Sequence, residues 1–314
     1  MADESALAII VVNYGSSALL ERNLVAASRD LPAARVYVVD NRSTADEART
    51  IQALAERERW VALLQTENLG FGAGVNRGVD AARADGRTRH LLINPDASID
   101  AAAVHLLLDS VDVDEKVVAA PLIEDGAGRI WSAGHVLDLD DGATHGRAWA
   151  ERHPHARVRR WLTGAALMIN DAAWIAVGGF DEDYFLYWED VDFSLRVEDA
   201  GGRLLLVEDA KAVHDEGGTQ GIGDPDMHAK SPLYYYYNVR NRMLLAHKLL
   251  DADTVHRWDA SSRTAAREVL LRGGRRQLLR PWRPVSAVWR GWRDGRRIAR
   301  GAAGRPPTGH RAVR

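Results

Sequence analysis

Short apolar runs alternate with amphipathic stretches over the first 120 residues. Leu7 to Val12 is an unbroken apolar run, rich in β-branched residues and ending at Asn13. That is the pattern of a strand buried on both faces. Ser17 to Ser28 sets Leu19, Leu20, Leu24 and Val25 at helical spacing, and Val36 to Val39 predicts a second strand closed by Asp40-Asn41. Ala45 to Arg59 predicts a helix with Ile51, Leu54 and Ala55 on one face. A third strand (Val61 to Leu64), a helix after a glycine-rich entry (Gly72 to Ala84) and a fourth strand (His90 to Ile93) follow. The fourth strand closes on Asn94-Pro95-Asp96. Asp100 then caps a helix through Leu108, and Val117 to Ala120 is a fifth strand. Such alternation predicts an α/β fold with an open, mostly parallel sheet flanked by helices.

After Pro121 the rhythm breaks. Ile123 to Ala150, rich in Gly, Asp and His, predicts a hairpin excursion. Trp161 to Ile169 is apolar again, Glu189 to Ala200 is helical, and Leu204 to Val207 is a late strand. From Tyr234 the pattern is helical to the end, punctuated at Gly273-Gly274 and Pro281. If Pro284 to Arg300 is helical, Val285, Val288, Trp289 and Trp292 share one face, with Arg290, Arg293 and Arg297 beside them. Gly301 to Arg314 is expected to be disordered.

Charge and composition narrow the function. Across 314 residues the net charge is only −3, but Arg257 to Arg314 holds 16 arginines and no lysine against Asp259, Glu268 and Asp294. An acidic body thus carries a basic tail bearing Trp258, Trp282, Trp289 and Trp292. The distribution argues against a body that wraps nucleic acid and points the tail toward an anionic membrane surface or the body itself. With no cysteine, disulfides, thiolate zinc sites and a cysteine nucleophile are excluded. No apolar run approaches the ~20 residues of a membrane-spanning helix. The acidic start MADESA is unlike a secretory signal, so a cytoplasmic protein is expected.

Candidate chemistry clusters after the strands. Asn13-Tyr14, Asp40-Asn41, Asn68 and Asn94-Pro95-Asp96 each lie at or just beyond a strand's C-terminal end. In a parallel sheet those ends form one edge, where ligands bind. Any one of them alone is an ordinary turn former or helix cap; four on successive strands predict a binding crevice. The segment Asn68 to Gly78 (NLGFGAGVNRG) is rich in glycine but does not satisfy G-x-G-x-x-G and follows the third strand, so it is not a dinucleotide fingerprint. Its glycines, Gly70 first among them, permit close backbone approach to a ligand, with Arg77 as a cation; a tight structural turn is the plainer alternative. Asp40 suits ribose hydroxyls or a base N–H. Asp96, beside proline, suits Mg²⁺ or Mn²⁺, which take oxygen ligands and retain substrate phosphates as others.

Six carboxylates lie between Asp181 and Asp192, split by the bulky run Tyr184 to Trp188. Partial burial there would raise a carboxylate toward neutrality and make a base, with Asp190 the first candidate and Glu189 the second. Acidic residues also favour the first turn of a helix, and Asp192 can simply pair with Arg196 at i+4. His214, after the late strand, could complete a metal site or contact a phosphate.

Taken together, IIVVNY, VVDN, NLGFGAGVNRG, LLINPDA, WLTGAALMI, GGFDEDYFLYWEDVDFSLR and His214 resemble family 2 glycosyltransferases, the inverting GT-A-fold enzymes, and within them the rhamnosyltransferase-like branch. The resemblance covers roughly residues 7 to 220. It implies a Rossmann-like GT-A domain over 1–225, with a nucleotide-sugar part (1–120) and an acceptor part (121–225); the helical pattern beyond it predicts a basic extension over 226–300. It also implies a dTDP- or UDP-sugar donor with Asn13, Tyr14, Asp40, Asn68, Gly70, Arg77 and Asn94 around the nucleotide. Asp96 would hold the metal-facing end of a D-x-D motif whose first position is here Asn94, His214 would be the late metal or phosphate ligand, and Asp190 the general base. The expected acceptor is a hydroxyl on a glycan, a lipid-linked sugar or a small molecule; docking of the basic tail would place the enzyme at the inner face of a membrane, and a homodimer is compatible. A nucleotidyltransferase is the rival enzyme, but the glycine-rich loop it carries after the first strand is here Asn13-Tyr14-Gly15-Ser16-Ser17. A catalytically silent membrane-docked scaffold is the rival outside enzymes.

Overall fold

The computed structural model describes residues 3–112, 116–214, 230–274 and 282–301. The chain divides into two compact units, Met1–Leu137 with Thr144–Met227, and Asp138–Ala143 with His228–Arg314.

In the first unit the strands are β1 (Leu7–Asn13), β2 (Arg35–Asp40), β3 (Val61–Leu64), β4 (Arg89–Ile93), β5 (Ala97–Ile99), β6 (Val117–Glu124) and β7 (Ile130–Ser132). They are followed by β8 (His135–Asp138), β9 (Thr144–Gly146), β10 (Val158–Trp161), β11 (Ala166–Asn170) and β12 (Arg203–His214). Its helices are α1 (Ser17–Asp30), α2 (Ala45–Glu58), α3 (Phe71–Ala84), α4 (Ala101–Asp112), α5 (Arg147–Arg152), α6 (Asp171–Val177) and α7 (Glu189–Asp199).

The main sheet runs β3-β2-β1-β4-β11-β6-β12-β5, with β7 paired to β6. β1 to β4 are mutually parallel; β11 runs antiparallel to both β4 and β6. Alternate residues of β1 feed two cores: Leu7, Ile9 and Val11 pack on one face, Ala8, Ile10 and Val12 on the other. This two-sided burial explains the unbroken apolar runs. Helix α3 lies close on the sheet because it presents glycines: a Cβ at Gly78 would stand 2.5 Å from Ile10 Cγ2, and one at Gly74 2.9 Å from Val12 Cγ1. Within the expected hairpin excursion, Ile123 to Ala150, lie β7 and the antiparallel pair β8–β9, to which β10 adds from beyond it.

The second unit is helical: α8 (Pro232–Leu249), α9 (Ala252–Leu271) and α10 (Trp282–Gly301), with the turn Asp138–Ala143. Arg242 of α8 donates to the Asp141 carbonyl, Trp258 Nε1 donates to the Leu139 carbonyl, and Gly142 is pressed against the Trp258 ring. The apolar face expected of α10 is split. Val288 is buried with Ala287 against Tyr235, Val239 and Val269, and Trp292 Nε1 donates to Ser262 Oγ of α9. Val285 and Trp289 stay exposed. The small residues Ala287, Gly291 and Gly295 set the contact line on α8, and a contact centred on them takes in only one side of the wide apolar arc. Pro281 and residues 302–314 of the expected tail lie outside the described residues.

Candidate active site

Asn13 and Asp40 are register partners at the ends of β1 and β2, both buried. Asn13 Nδ2 donates to Asp40 Oδ1 (3.0 Å) and to Glu47 Oε1 (3.1 Å), while its Oδ1 accepts from the Ser16 amide. Glu47 also receives the Ser17 amide at 2.7 Å and the Ser17 hydroxyl at 2.9 Å, tying the start of α1 to the first turn of α2. Asp40 therefore has one oxygen fixed, while the other, Oδ2, is buried with no hydrogen-bond partner among the described residues. Burial pushes its carboxyl above the usual range, the Asn13 bond opposing and the Glu47 charge adding. A fixed acceptor of this kind, left open at a sheet edge, suits hydroxyl or N–H donors of a ligand.

Asn41 reaches the glycine loop: Nδ2 donates to the Gly70 carbonyl (2.7 Å) and Oδ1 accepts from the Leu69 amide (3.3 Å). Asn68 Oδ1 accepts from the Gly70 amide. Gly70 holds φ +87°, and a Cβ there would stand 2.3 Å from the Phe185 carbonyl oxygen, which accepts the Phe71 amide at 2.9 Å. The close approach that Gly70 permits is thus to the aromatic run. Arg77 is exposed on α3, and Tyr14 is exposed just past β1.

Asn94 donates its amide to the Ala165 carbonyl, fixing the end of β4 beside the start of β11. Asp96 is buried, and its Oδ1 lies 3.2 Å from His214 Nε2. Antiparallel pairing of β12 with β5 sets His214 opposite Ala97, next in sequence to Asp96. The Trp131 ring stacks on His214 with centroids 4.5 Å apart, and among the described residues the buried His214 Nδ1 has no hydrogen-bond partner.

Asp190 stands in the first turn of α7. Its Oδ2 accepts from the Gly164 amide (3.1 Å) and its Oδ1 from its neighbour Val191 (2.8 Å). Desolvation raises the carboxyl to about 6, against the lowering effect of those amides. The side chain keeps some exposure, as a base that must meet substrate requires. Glu189 is buried deeper, with Oε2 unpartnered; desolvation, then the Asp190 charge, push it well above the usual carboxylate range. Asp192 is committed elsewhere: it receives Arg196 Nε at 2.6 Å, the expected i+4 pair, and Arg196 also donates to the Val177 and Gly179 carbonyls. Entry to α7 is strained, since both Tyr187 (φ +65°) and Trp188 (φ +75°) are left-handed without being glycine. Each such residue costs of order 1–3 kcal/mol and persists where surrounding structure enforces it.

The sheet edge thus gathers Asn13, Asp40, Asn94, Asp96, His214 and, through Gly164, Asp190. Gly70 joins that set through Asn41, and Asn68 through Gly70, whereas Tyr14 and Arg77 stand exposed. Sequence reasoning missed Glu47, Gly164 and Trp131. Only Glu47 carried a signal, the capping pattern Thr44-Ala45-Asp46-Glu47, in which Thr44 Oγ1 does accept the Glu47 amide. As for a metal, Asp96 and His214 offer a hard oxygen and an imidazole side by side, and the His214 Nδ1 orphan leaves that ring unsatisfied. This pair fits a divalent cation that takes its other ligands from a diphosphate. Among the described residues no group of three or more His, Asp or Glu could hold a metal without such help.

An α/β sheet that gathers Asp40, Asp190 and the Asp96–His214 pair on one edge has the architecture of a GT-A glycosyltransferase. Residues 8–179 match the profile of Glycosyl transferase family 2, and the chain belongs to that family. It is 33% identical over 250 residues to the N-acetylglucosaminyl-diphospho-decaprenol L-rhamnosyltransferase of Mycobacterium tuberculosis, covering 71% of this chain and 80% of that protein. Its fold is similar to that of GalNAc-T7 crystallised with UDP, GalNAc and Mn²⁺ (TM-score 0.61, 15% identity, 82% of this chain and 50% of that one). It is similar also to the mannosyltransferase PcManGT of Pyrobaculum calidifontis in complex with GDP-Man and Mn²⁺ (TM-score 0.54, 15% identity, 95% and 86%). The nucleotidyltransferase alternative is set aside by these matches.

Proposed function

We propose that the enzyme transfers L-rhamnose, with inversion, from a dTDP- or UDP-linked donor to a hydroxyl of a lipid-linked sugar at the inner face of a membrane. The observation that carries the chemistry is Asp190: a carboxylate raised to about 6, aimed by two backbone amides, at the edge where Asp40 leaves one buried oxygen open. The choice of rhamnose and of a lipid-linked acceptor leans on the mycobacterial relative, whose name gives both.

Asp190 accepts the acceptor hydroxyl's proton as that oxygen attacks the anomeric carbon. The bond from that carbon to the diphosphate oxygen breaks on the opposite face. Gly164 and Val191 hold the carboxylate in place through the transfer. Asp40 and Asn13 bind the nucleoside, and Asn41 fixes the glycine loop beside it. Asp96 and His214 would hold a divalent cation, whose chemistry when bound is to neutralise charge on the diphosphate. Turnover of a panel of dTDP-, UDP- and GDP-sugars with a polyprenyl-diphosphate-linked N-acetylglucosamine acceptor tests the reading. Product formed from dTDP- or UDP-rhamnose, with the anomeric configuration inverted by NMR, is the expected result. Transfer of another sugar in preference to rhamnose, or retained configuration, overturns it.

A further inference from the structure

The helical unit carries an apolar end. Trp292 of α10 meets Ser262 of α9, and Arg296 meets Asp259, so these two helices are antiparallel. Continuing that register sets Leu271, the last residue of α9, level with Arg283 and Pro284. Gly291 abuts the Tyr236 carbonyl of α8, and Gly295 abuts Met243 and the Arg240 carbonyl, so α8 and α10 are parallel. The start of α8, the finish of α9 and the start of α10 therefore meet at one end of the bundle.

Among the described residues, most of the unit's exposed large apolar side chains lie at that end. Trp282 is 83% exposed, Leu271 59%, Leu233 51% and Val285 42%. Elsewhere in the unit Trp258, Leu245 and Met243 are covered, so the fold buries apolar surface efficiently where it does so at all. The charged residues interspersed at this end are mostly cationic: Lys230 before α8, Arg272 after α9 and Arg283 in the first turn of α10, with Glu268 in the last turn of α9 opposing beside Arg267. Further along α10, the Arg293 guanidinium sits 5.1 Å over the exposed Trp289 ring; Arg293 and Arg297 both pair with Asp294, and Arg290 is exposed beside them. Bulky apolar groups ringed by cations, tryptophan among them, suit the headgroup level of an anionic bilayer, where the indole is amphipathic and guanidinium meets phosphate. Among the described residues no helix is long and apolar enough to cross a membrane, so the fit is to the interface.

We propose that this end of the helical unit docks on an anionic lipid surface, seating Leu233, Leu271, Trp282 and Val285 among the acyl-chain boundary with Lys230, Arg272 and Arg283 against the headgroups. The inference accords with a lipid-linked acceptor but rests on the helical unit alone. A failure of rhamnosyl transfer leaves it standing, and the reverse holds as well.

The experiment is co-sedimentation of the full chain with vesicles of phosphatidylcholine, alone or with half phosphatidylglycerol. Binding to the anionic vesicles, weakened by salt, is expected, with little binding to the neutral ones. Trp282→Ala and Leu271→Ser, each at an exposed position, should lower the partition coefficient about tenfold at unchanged Tm. Arg272→Gln and Arg283→Gln should lower it about fivefold each, while Arg49→Gln, the same charge change on exposed α2, should not. Brominated lipid should quench tryptophan emission in the native chain and less in Trp282→Ala. Absence of binding at low salt overturns the proposal, as does binding indifferent to Trp282 and Leu271. So does concentration-dependent dimerisation in ultracentrifugation that Trp282→Ala abolishes, because that would make a second copy the occupant of this end.

Discussion

Asp190 is held by backbone amides, so substitution by asparagine keeps an acceptor for Gly164 and removes the base. Asp190→Asn should bind donor normally and lose ~10²-fold or more in turnover. The pH profile carries the sign. With the carboxyl raised to about 6, native activity should rise through that pH and level off above it. Stability runs the other way. A carboxyl raised on folding binds more protons native than unfolded, so its ionisation destabilises the fold as pH climbs from about 4 through 6. Asp190→Asn should therefore be more stable than the native chain at pH 8, by about 1–3 kcal/mol, and not at pH 4. Urea melts at both values check it; a variant no more stable at pH 8 would show that the carboxyl is not strained by burial. Asp40 is tested by Asp40→Ala, which should weaken donor-nucleotide binding about tenfold or more, measured by calorimetry, because a fixed charged acceptor is lost.

Among elements, the glycine loop and the aromatic run hold each other. Gly70→Ala meets both a left-handed φ and the Phe185 carbonyl at 2.3 Å, whereas Gly86→Ala meets a similar φ with open space around it. Gly86→Ala should cost about 1 kcal/mol, the price of the conformation alone. Gly70→Ala should cost at least about 2 kcal/mol more and weaken nucleotide binding, as the loop is pushed off Asn41. Equal urea midpoints for the two variants would remove the close approach as an explanation. The pattern of hydrophobic residues gave away β1, β2, β3 and β4 because each run ends at a polar residue on the same edge. The direction of β11 was not legible: a strand buried on both faces reads as an apolar run whichever way it points. The short strands β7 to β10 and the helix α6 lack the length for a clear period. Within the site, Asp40, Asp96, Asp190 and His214 stood out by residue type at strand or helix ends. Gly164 did not, because it contributes only a backbone N–H, and Trp131 did not, because its partner is 83 positions away in the chain.

At the scale of the molecule, ligand and stability are linked: anything bound by the native state alone raises the melting temperature. A nucleoside diphosphate at a hundred times its Kd should add about 2.7 kcal/mol. On the proposed reading, Asp40 and Asn13 would engage the nucleoside, whereas Asp96 and His214 would engage the diphosphate only through a cation. The two contributions should therefore separate in a thermal-shift series. UDP or dTDP with Mn²⁺ should raise Tm by several degrees; EDTA should remove much of that gain, and the bare nucleoside should give a small shift indifferent to Mn²⁺. Asp96→Ala should flatten the Mn²⁺ response and spare the nucleoside shift, while Asp40→Ala should do the reverse. The Asn94 that stands where the D-x-D motif has its first acid leaves one anionic ligand fewer, so the Mn²⁺ midpoint is expected at higher concentration than for a site with two carboxylates. A diphosphate shift equal in Mn²⁺ and in EDTA would sink the cation reading. The leaving diphosphate would then have to be neutralised by protein side chains, and His214→Ala in EDTA is the variant that would find the first of them.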